Sequence, residues 1–224
     1  MRRRLFATLL LVLAVACTAL GVWQVERRAW KLALIATVDA RIHAAPRPLP
    51  TDWHDDWRYV RVRTTGTFRH DRETLVQALT ERGPGWWVMT PLDTAAGTVL
   101  VNRGFVPDER RDPATRRAGQ VPGPVTVTGL LRADEPGGGF LRGNDPAAGR
   151  WYSRDVQAIG RARNLARLAP WFIDAEAGAT PGGYPIGGLT VVSFRNAHLV
   201  YALTWFALAG LSLFGAATVW RRPA

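Results

Sequence analysis

Two uncharged apolar runs, one towards each end of the chain, frame everything between them. The first covers Leu5–Val25 and the second Leu199–Trp220. At about 1.5 Å of rise per residue, each forms a helix roughly 30 Å long, the thickness of a bilayer's hydrocarbon core. The helical period persists past Val25. Trp30, Leu34, Ile35, Val38 and Ile42 recur at helical spacing, with Arg27, Arg28, Lys31, Asp39 and Arg41 on other faces. This predicts a first helix that continues to about residue 44, where Pro46, Pro48 and Pro50 stop it and form a stiff connector.

From Trp57 the period changes to two. Val60, Val62, Thr64, Gly66 and Phe68 share one face of a strand, with Arg61 and Arg63 on the other. Further strands are predicted at Thr74–Leu79, Trp86–Leu92, Thr98–Arg103, Val125–Arg132, Trp171–Ile173 and Thr190–Phe194. Gly83-Pro84-Gly85 and Thr94–Gly97 read as turns, and Gly137–Gly149 and Gly178–Gly188 as loops. Arg154–Leu168 reads as a helix whose apolar residues are Val156, Ile159 and Leu165. The expected fold is an α+β membrane protein. Transmembrane helices at residues 5–25 and 199–220 flank one strand-rich extracytoplasmic domain at residues 51–195, an antiparallel sheet or small barrel.

Charge sets the expected orientation. Arg2, Arg3 and Arg4 precede the first run, and Arg221 and Arg222 follow the second, so both ends read as cytoplasmic. Arg27, Arg28 and Lys31 weaken the signal of the first helix; the single Arg195 before the second leaves its bias intact. The first run is longer than a signal-peptide core and leads into Gly21, Trp23 and Gln24 without a small-residue cleavage site. It is read as an uncleaved anchor, with a cleaved secretory signal, or a lipoprotein signal at Cys17 after Leu13-Ala14-Val15-Ala16, as the competing readings. The expected location is the bacterial cytoplasmic (inner) membrane, crossed twice.

Composition removes several classes of function. Cys17, inside the first run, is the only cysteine, which excludes a disulfide framework, a CxxC redox pair and a zinc finger. The net charge of +11 is carried almost wholly by arginine. The arginines are scattered among acidic residues with no basic helix, so nucleic acid is not the expected partner; anionic lipid head groups or haem propionates suit them better. No GxSxG, phosphate loop or HExxH pattern occurs, and the expectation is that the protein is not an enzyme. His54 beside Asp55 and Asp56 offers a weak metal cluster.

The chemistry-bearing position is His198, at the start of the second run. On a helix, His198, Tyr201, Ala202, Trp205 and Ala209 share a face. A neutral imidazole there can ligate haem iron. Tyr201 and Trp205 would line the porphyrin, Ala202 and Ala209 would leave room for it, and Arg195 or Arg28 would meet its propionates. The same residue types also serve as ordinary anchors at a membrane interface.

Four stretches together resemble the Surfeit-locus-one family of cytochrome c oxidase assembly proteins. Gly21–Lys31 resembles the family's GxWQxxRxxWK segment and contains Trp23 and Gln24. Thr90-Pro91-Leu92 precedes Leu100–Pro107, which contains Asn102, Arg103 and Gly104. Asn144-Asp145-Pro146 precedes Trp151–Asp155, and Arg195–Phe206 closes the series. Gly187-Gly188-Leu189-Thr190 departs from the polar run common at that point. The resemblance implies an assembly factor that helps deliver haem a into the large catalytic subunit of the oxidase. Its implied partners are that subunit, haem a synthase and membrane lipids. It also implies that His198 corresponds to the family's proposed haem ligand. For Gly104 and Arg103 the residues themselves suggest simpler roles, a tight bend and a structural ion pair.

Overall fold

The computed structural model describes residues 2–139, 141–190, 192, 194 and 196–221. The chain divides into two compact units, Met1–Asp39 with Val192–Ala224, and Ala40–Val191. The first holds most of helix α1 (Arg2–His43) and all of helix α3 (His198–Arg221), both long and apolar enough to cross a membrane. The second is strand-rich. Its strands are β1 (Arg47–Pro48), β2 (Arg61–Phe68), β3 (Thr74–Thr80), β4 (Gly83–Thr94), β5 (Gly97–Val106), β6 (Pro124–Ala133) and β7 (Leu168–Ala175), with helix α2 (Val156–Ala162) before β7.

These strands run in the order β1-β2-β6-β7-β5-β4-β3, and β2 also pairs with β4. That extra pairing, Gly66–Phe68 against Leu92–Thr94, closes β2, β6, β7, β5 and β4 into a small barrel. Closure removes the exposed sheet edges that an open sheet of these strands would carry. Most pairs are antiparallel, but β7 enters beside β5 in parallel. The two-residue alternation explains the core. Val62, Leu92, Val99, Val101, Leu131 and Ile173 fill the barrel interior. Their neighbours Leu100 and Phe172 point outward and pack with Val76, Met89, Trp151, Val156 and Ile159 beneath α2.

Local chemistry moves several boundaries from their sequence expectations. The turn expected at Gly83-Pro84-Gly85 is part of β4; the hairpin turns at Glu81–Arg82 instead. Gly85 is required inside the strand because a Cβ there would meet the Phe105 ring and the Val106 carbonyl. The helix expected over Arg154–Leu168 is only α2. It is capped by Asp155, whose Oδ1 accepts from Ala158 N at 2.8 Å, and it ends before Asn164, which adopts φ 49°. The proline-rich connector contributes β1, which pairs in parallel with Val62–Arg63. No strand forms at Thr190, Val192 or Phe194; the other residues expected to complete that strand lie outside the described set.

Phe172 lies fully buried between the barrel wall and α2. Phe172→Ala is therefore expected to lower stability by about 3–5 kcal/mol, measured as an earlier denaturant midpoint by near-ultraviolet circular dichroism.

Candidate functional site

Helices α1 and α3 meet along a seam with one spacing rule. On α1 it runs Ala7, Leu10, Ala14, Cys17, Gly21, Gln24, Arg28, Lys31; on α3 it runs His198, Ala202, Trp205, Ala209, Ser212, Ala216. Both lists alternate steps of three and four residues, the repeat that keeps one helical stripe facing its partner. The small members are buried, and large side chains fill the holes they leave. A Cβ on Gly21 would stand 2.6 Å from the Phe206 ring, and one on Gly215 would stand 3.3 Å from Leu10. These contacts set the helices antiparallel. Apolar side chains away from the seam stay bare, with Val15 72% and Phe214 70% exposed. Helices apolar all round, with bare outer faces, point to a membrane protein.

The seam turns polar at one end. Gln24 Oε1 lies 2.7 Å from His198 Nδ1. With the carbonyl oxygen as acceptor, Nδ1 carries the proton and Nε2 keeps its lone pair, the form of imidazole that binds a metal ion. Arg28 and Lys31 follow Gln24 on the same stripe, and the Lys31 ammonium sits 4.9 Å from the centre of the Phe194 ring. Trp23 and Trp30 occupy a different, half-exposed stripe, where Arg27 stacks over Trp30 at 4.6 Å. Tyr201 is 56% exposed and off the seam, whereas Trp205 is half-buried on it. Ala202 and Ala209, expected to leave room for a porphyrin, are buried against α1 instead. Arg195 lies outside the described residues. The structure thus joins Gln24 to His198 with Arg28 on the same stripe, and it leaves Tyr201 apart.

Asn102, Arg103 and Gly104 belong to the barrel. Asn102 Nδ2 donates to Asp174 Oδ1 at 2.8 Å, and its Oδ1 accepts from Gly104 N at 3.1 Å. Gly104 adopts φ +126°, and a Cβ there would run into the Ile186 carbonyl. This bend lets Phe105 exchange hydrogen bonds with Ile186, both at 2.9 Å. Asp174 also accepts from Arg132 at 2.8 Å and from Arg154 at 3.0 Å, while Arg154 forks onto Glu135 at 2.6 and 2.9 Å. Arg154 comes from the Trp151–Asp155 stretch. In the same stretch Trp151 is buried in the core and Asp155 caps α2. Asn144 Oδ1 accepts from Tyr152 N and Ser153 N at 2.8 and 3.2 Å. Each motif on the barrel therefore has a structural task.

Arg103 forms no ion pair among the described residues, contrary to the sequence expectation. Glu73, the nearby carboxylate, is taken in a two-pronged pair by Arg116, and both side chains are buried. Arg103 donates instead to the Gly119 carbonyl, lies 3.4 Å from His70 Nδ1, and stacks over Phe68 at 4.8 Å. Burial pulls its pKa down to about 10, against the attraction of Glu73 and with the repulsion of Arg116. His70 Nε2 faces the Val121 carbonyl at 3.1 Å, which makes Nε2 the donor and Nδ1 the acceptor towards Arg103.

His54 faces Asp52 at 3.5 Å and Asp56 at 3.7 Å on the exposed surface, while Asp55 pairs with Arg58. Among the described residues no group of three His, Cys, Asp or Glu side chains is placed to hold a metal ion.

Barrel, helix seam and histidine–glutamine pair define a class: a small-barrel protein with two membrane-length helices at its chain ends. The chain belongs to the SURF1 family, whose pattern matches residues 11–210. It is 38% identical to human Surfeit locus protein 1 over 92% of this chain and 74% of the human one. The Takifugu rubripes Surfeit locus protein 1 is 34% identical over 92% of each chain. A SURF1-like protein of Monosiga brevicollis is 40% identical over 91% of this chain and 83% of its own.

Gly21→Ile forces a branched side chain into the Phe206 ring and is expected to cost about 1–3 kcal/mol, read as a lower unfolding temperature in detergent. His70 has a lowered pKa, caused first by burial and then by Arg103 and Arg116, with the Val121 carbonyl and Glu73 opposing. Its folded pKa lies below its unfolded one, so the unfolded chain binds more protons in that window. The stability it contributes is complete above the ordinary pKa of 6.5 and is lost as pH falls from there through the folded value. Unfolding temperature should fall on acidification in that range, and His70→Asn should flatten the profile.

Proposed function

We propose that this chain is an assembly factor for haem-copper cytochrome c oxidase that holds haem a between haem a synthase and the large catalytic subunit. The observation that carries this reading is the Gln24–His198 hydrogen bond of 2.7 Å, which fixes an imidazole with a free Nε2 at the polar end of the helix seam. Haem a is the cargo; His198 Nε2 would be the protein group that holds its iron. Gln24 holds the ring in one orientation and one tautomer. Arg28, on the same stripe, supplies a cation for a propionate. Trp205, half-buried on the seam, gives apolar surface for the ring edge. The reading requires no catalysis: the chain protects a redox-active, poorly soluble group and releases it through an exchangeable ligand.

The membrane setting supports this role. Basic residues at both chain ends favour a cytoplasmic position for the termini, which puts the barrel on the outer face of the bacterial inner membrane. There the barrel would face the extracytoplasmic side of the client subunit. A haem-free scaffold is the second reading. The observation favouring it is that Ala202 and Ala209 are spent on helix packing, which narrows the space beside His198.

Purified protein co-produced with haem a should carry a Soret band. His198→Ala should remove most of it, and Gln24→Leu should weaken haem affinity by about 10- to 100-fold, the usual cost of losing a residue that orients a metal-binding histidine. Haem a content of the host oxidase should fall in parallel. Unchanged haem loading in both variants, with oxidase assembly intact, would favour the scaffold.

A further inference from the structure

A cavity of about 500 Å³ opens in the barrel domain beside β6 and the segment that follows β7. It exists because these two strands part company. They pair from Ala133 with Trp171 to Gly129 with Ala175, and one more bond, Glu176 N to Thr128 O at 3.0 Å, ends the ladder. Beyond it, β6 continues along β2 as far as Pro124, while the chain after Glu176 leads away towards Pro181. The gap exposes groups of both the barrel interior and its surface. Phe68 and Val127 give it apolar wall, and Thr128 gives it a hydroxyl.

Three arginines line this cavity, and their partners differ. Arg61 is neutralised by Glu176 through bonds of 2.5 and 2.7 Å. Arg63 contacts only the Thr128 hydroxyl, at 3.4 Å, among the described residues. Arg103 is only 9% exposed and has no carboxylate partner among them. Its buried neighbourhood holds Arg103, Arg116 and Glu73, and the one carboxylate is already committed to Arg116. One positive charge therefore remains without a counter-charge in a site from which water is largely excluded. Such a charge is costly unless an anion joins it. A planar guanidinium presents its donors as a fork suited to carboxylate or phosphate oxygens. The volume lies in the range of small-molecule sites, and the mixed lining suits an anion carried on an apolar body.

We propose that this cavity is a binding site for a small organic anion, a carboxylate or phosphate on a compact apolar body, held by Arg103 from within and Arg63 at the rim. The site is built wholly from barrel residues and does not depend on haem binding. It gives the barrel domain a ligand of its own. Arg103 recognises the anionic group, Phe68 keeps the guanidinium plane in place, and Arg63 adds attraction at the entrance.

Calorimetric titration of the full chain in neutral detergent tests this, with benzoate and phenyl phosphate as probes and benzyl alcohol as the uncharged control. Benzoate or phenyl phosphate should bind saturably at one site, and benzyl alcohol should not. Arg63→Gln, at an exposed position, should keep the fold and weaken binding by about tenfold, the loss of one charge-assisted contact. Arg103→Gln should abolish binding, with Arg103→Lys restoring part of it. Absence of saturable binding by either anion overturns the proposal. So does equal binding of benzyl alcohol, or affinity unchanged in Arg63→Gln.

Discussion

Asp174 is 2% exposed, and the barrel is arranged around keeping its buried carboxylate hydrogen-bonded. Its two oxygens accept from Asn102 on β5, Arg132 on β6 and Arg154 from the loop before α2, and it stands on β7. Three separate stretches of chain converge on a carboxylate carried by a fourth. Glu135 supplies the second negative charge, so the two arginines and two acids balance. Removing one partner from such a buried group typically costs about 3–5 kcal/mol, because the charge left behind has no water to turn to. The parallel entry of β7 beside β5 is secured at the same point, since Asn102 and Asp174 are register partners. From Asn102 the constraint passes to Gly104, whose N–H the amide accepts, and then to the Phe105–Ile186 bridge.

This arrangement accounts for much of what the sequence offered. Alternating positions from Val60 to Phe68 correspond to a strand because one face of it is buried, whereas β5 is buried on both faces, with Val99 and Val101 in the barrel interior and Leu100 beneath α2. Barrel closure was left open in the sequence, since the pairing of Gly66–Phe68 with Leu92–Thr94 joins residues with no local signal for one another. Asn102 and Gly104 stood out by resemblance to a family, and their reasons became visible only through Asp174 and Ile186, far along the chain. The arginine at 103 illustrates the limit well. An ion pair was the natural expectation, but the competition between two arginines for Glu73 is decided by three-dimensional placement.

The helices repeat that lesson in another form. Their apolar runs were plain, as was His198. The stripe on which His198 faces Gln24 was not, because it emerges only when the three-and-four alternation is followed from Ala7 into the charged part of α1. The Gly21–Lys31 stretch then divides cleanly. Gly21, Gln24, Arg28 and Lys31 lie on the seam, and Trp23 and Trp30 lie off it. Ala202 and Ala209 read as free space in one dimension and proved to be contact surface in three.

That repeat has an ambiguity built into it. An antiparallel pair with a regular seven-residue period could slide by one period and still bring small residues together. A slip of that size would set His198 opposite Cys17 or Lys31 instead of Gln24, stranding an imidazole beside a thiol or an ammonium. The amide–imidazole bond thus acts as an alignment mark: it selects one setting of the two helices from several that apolar packing alone would tolerate. A substitution at Gln24 consequently reaches further than the ring it holds, loosening the choice of helical register as well.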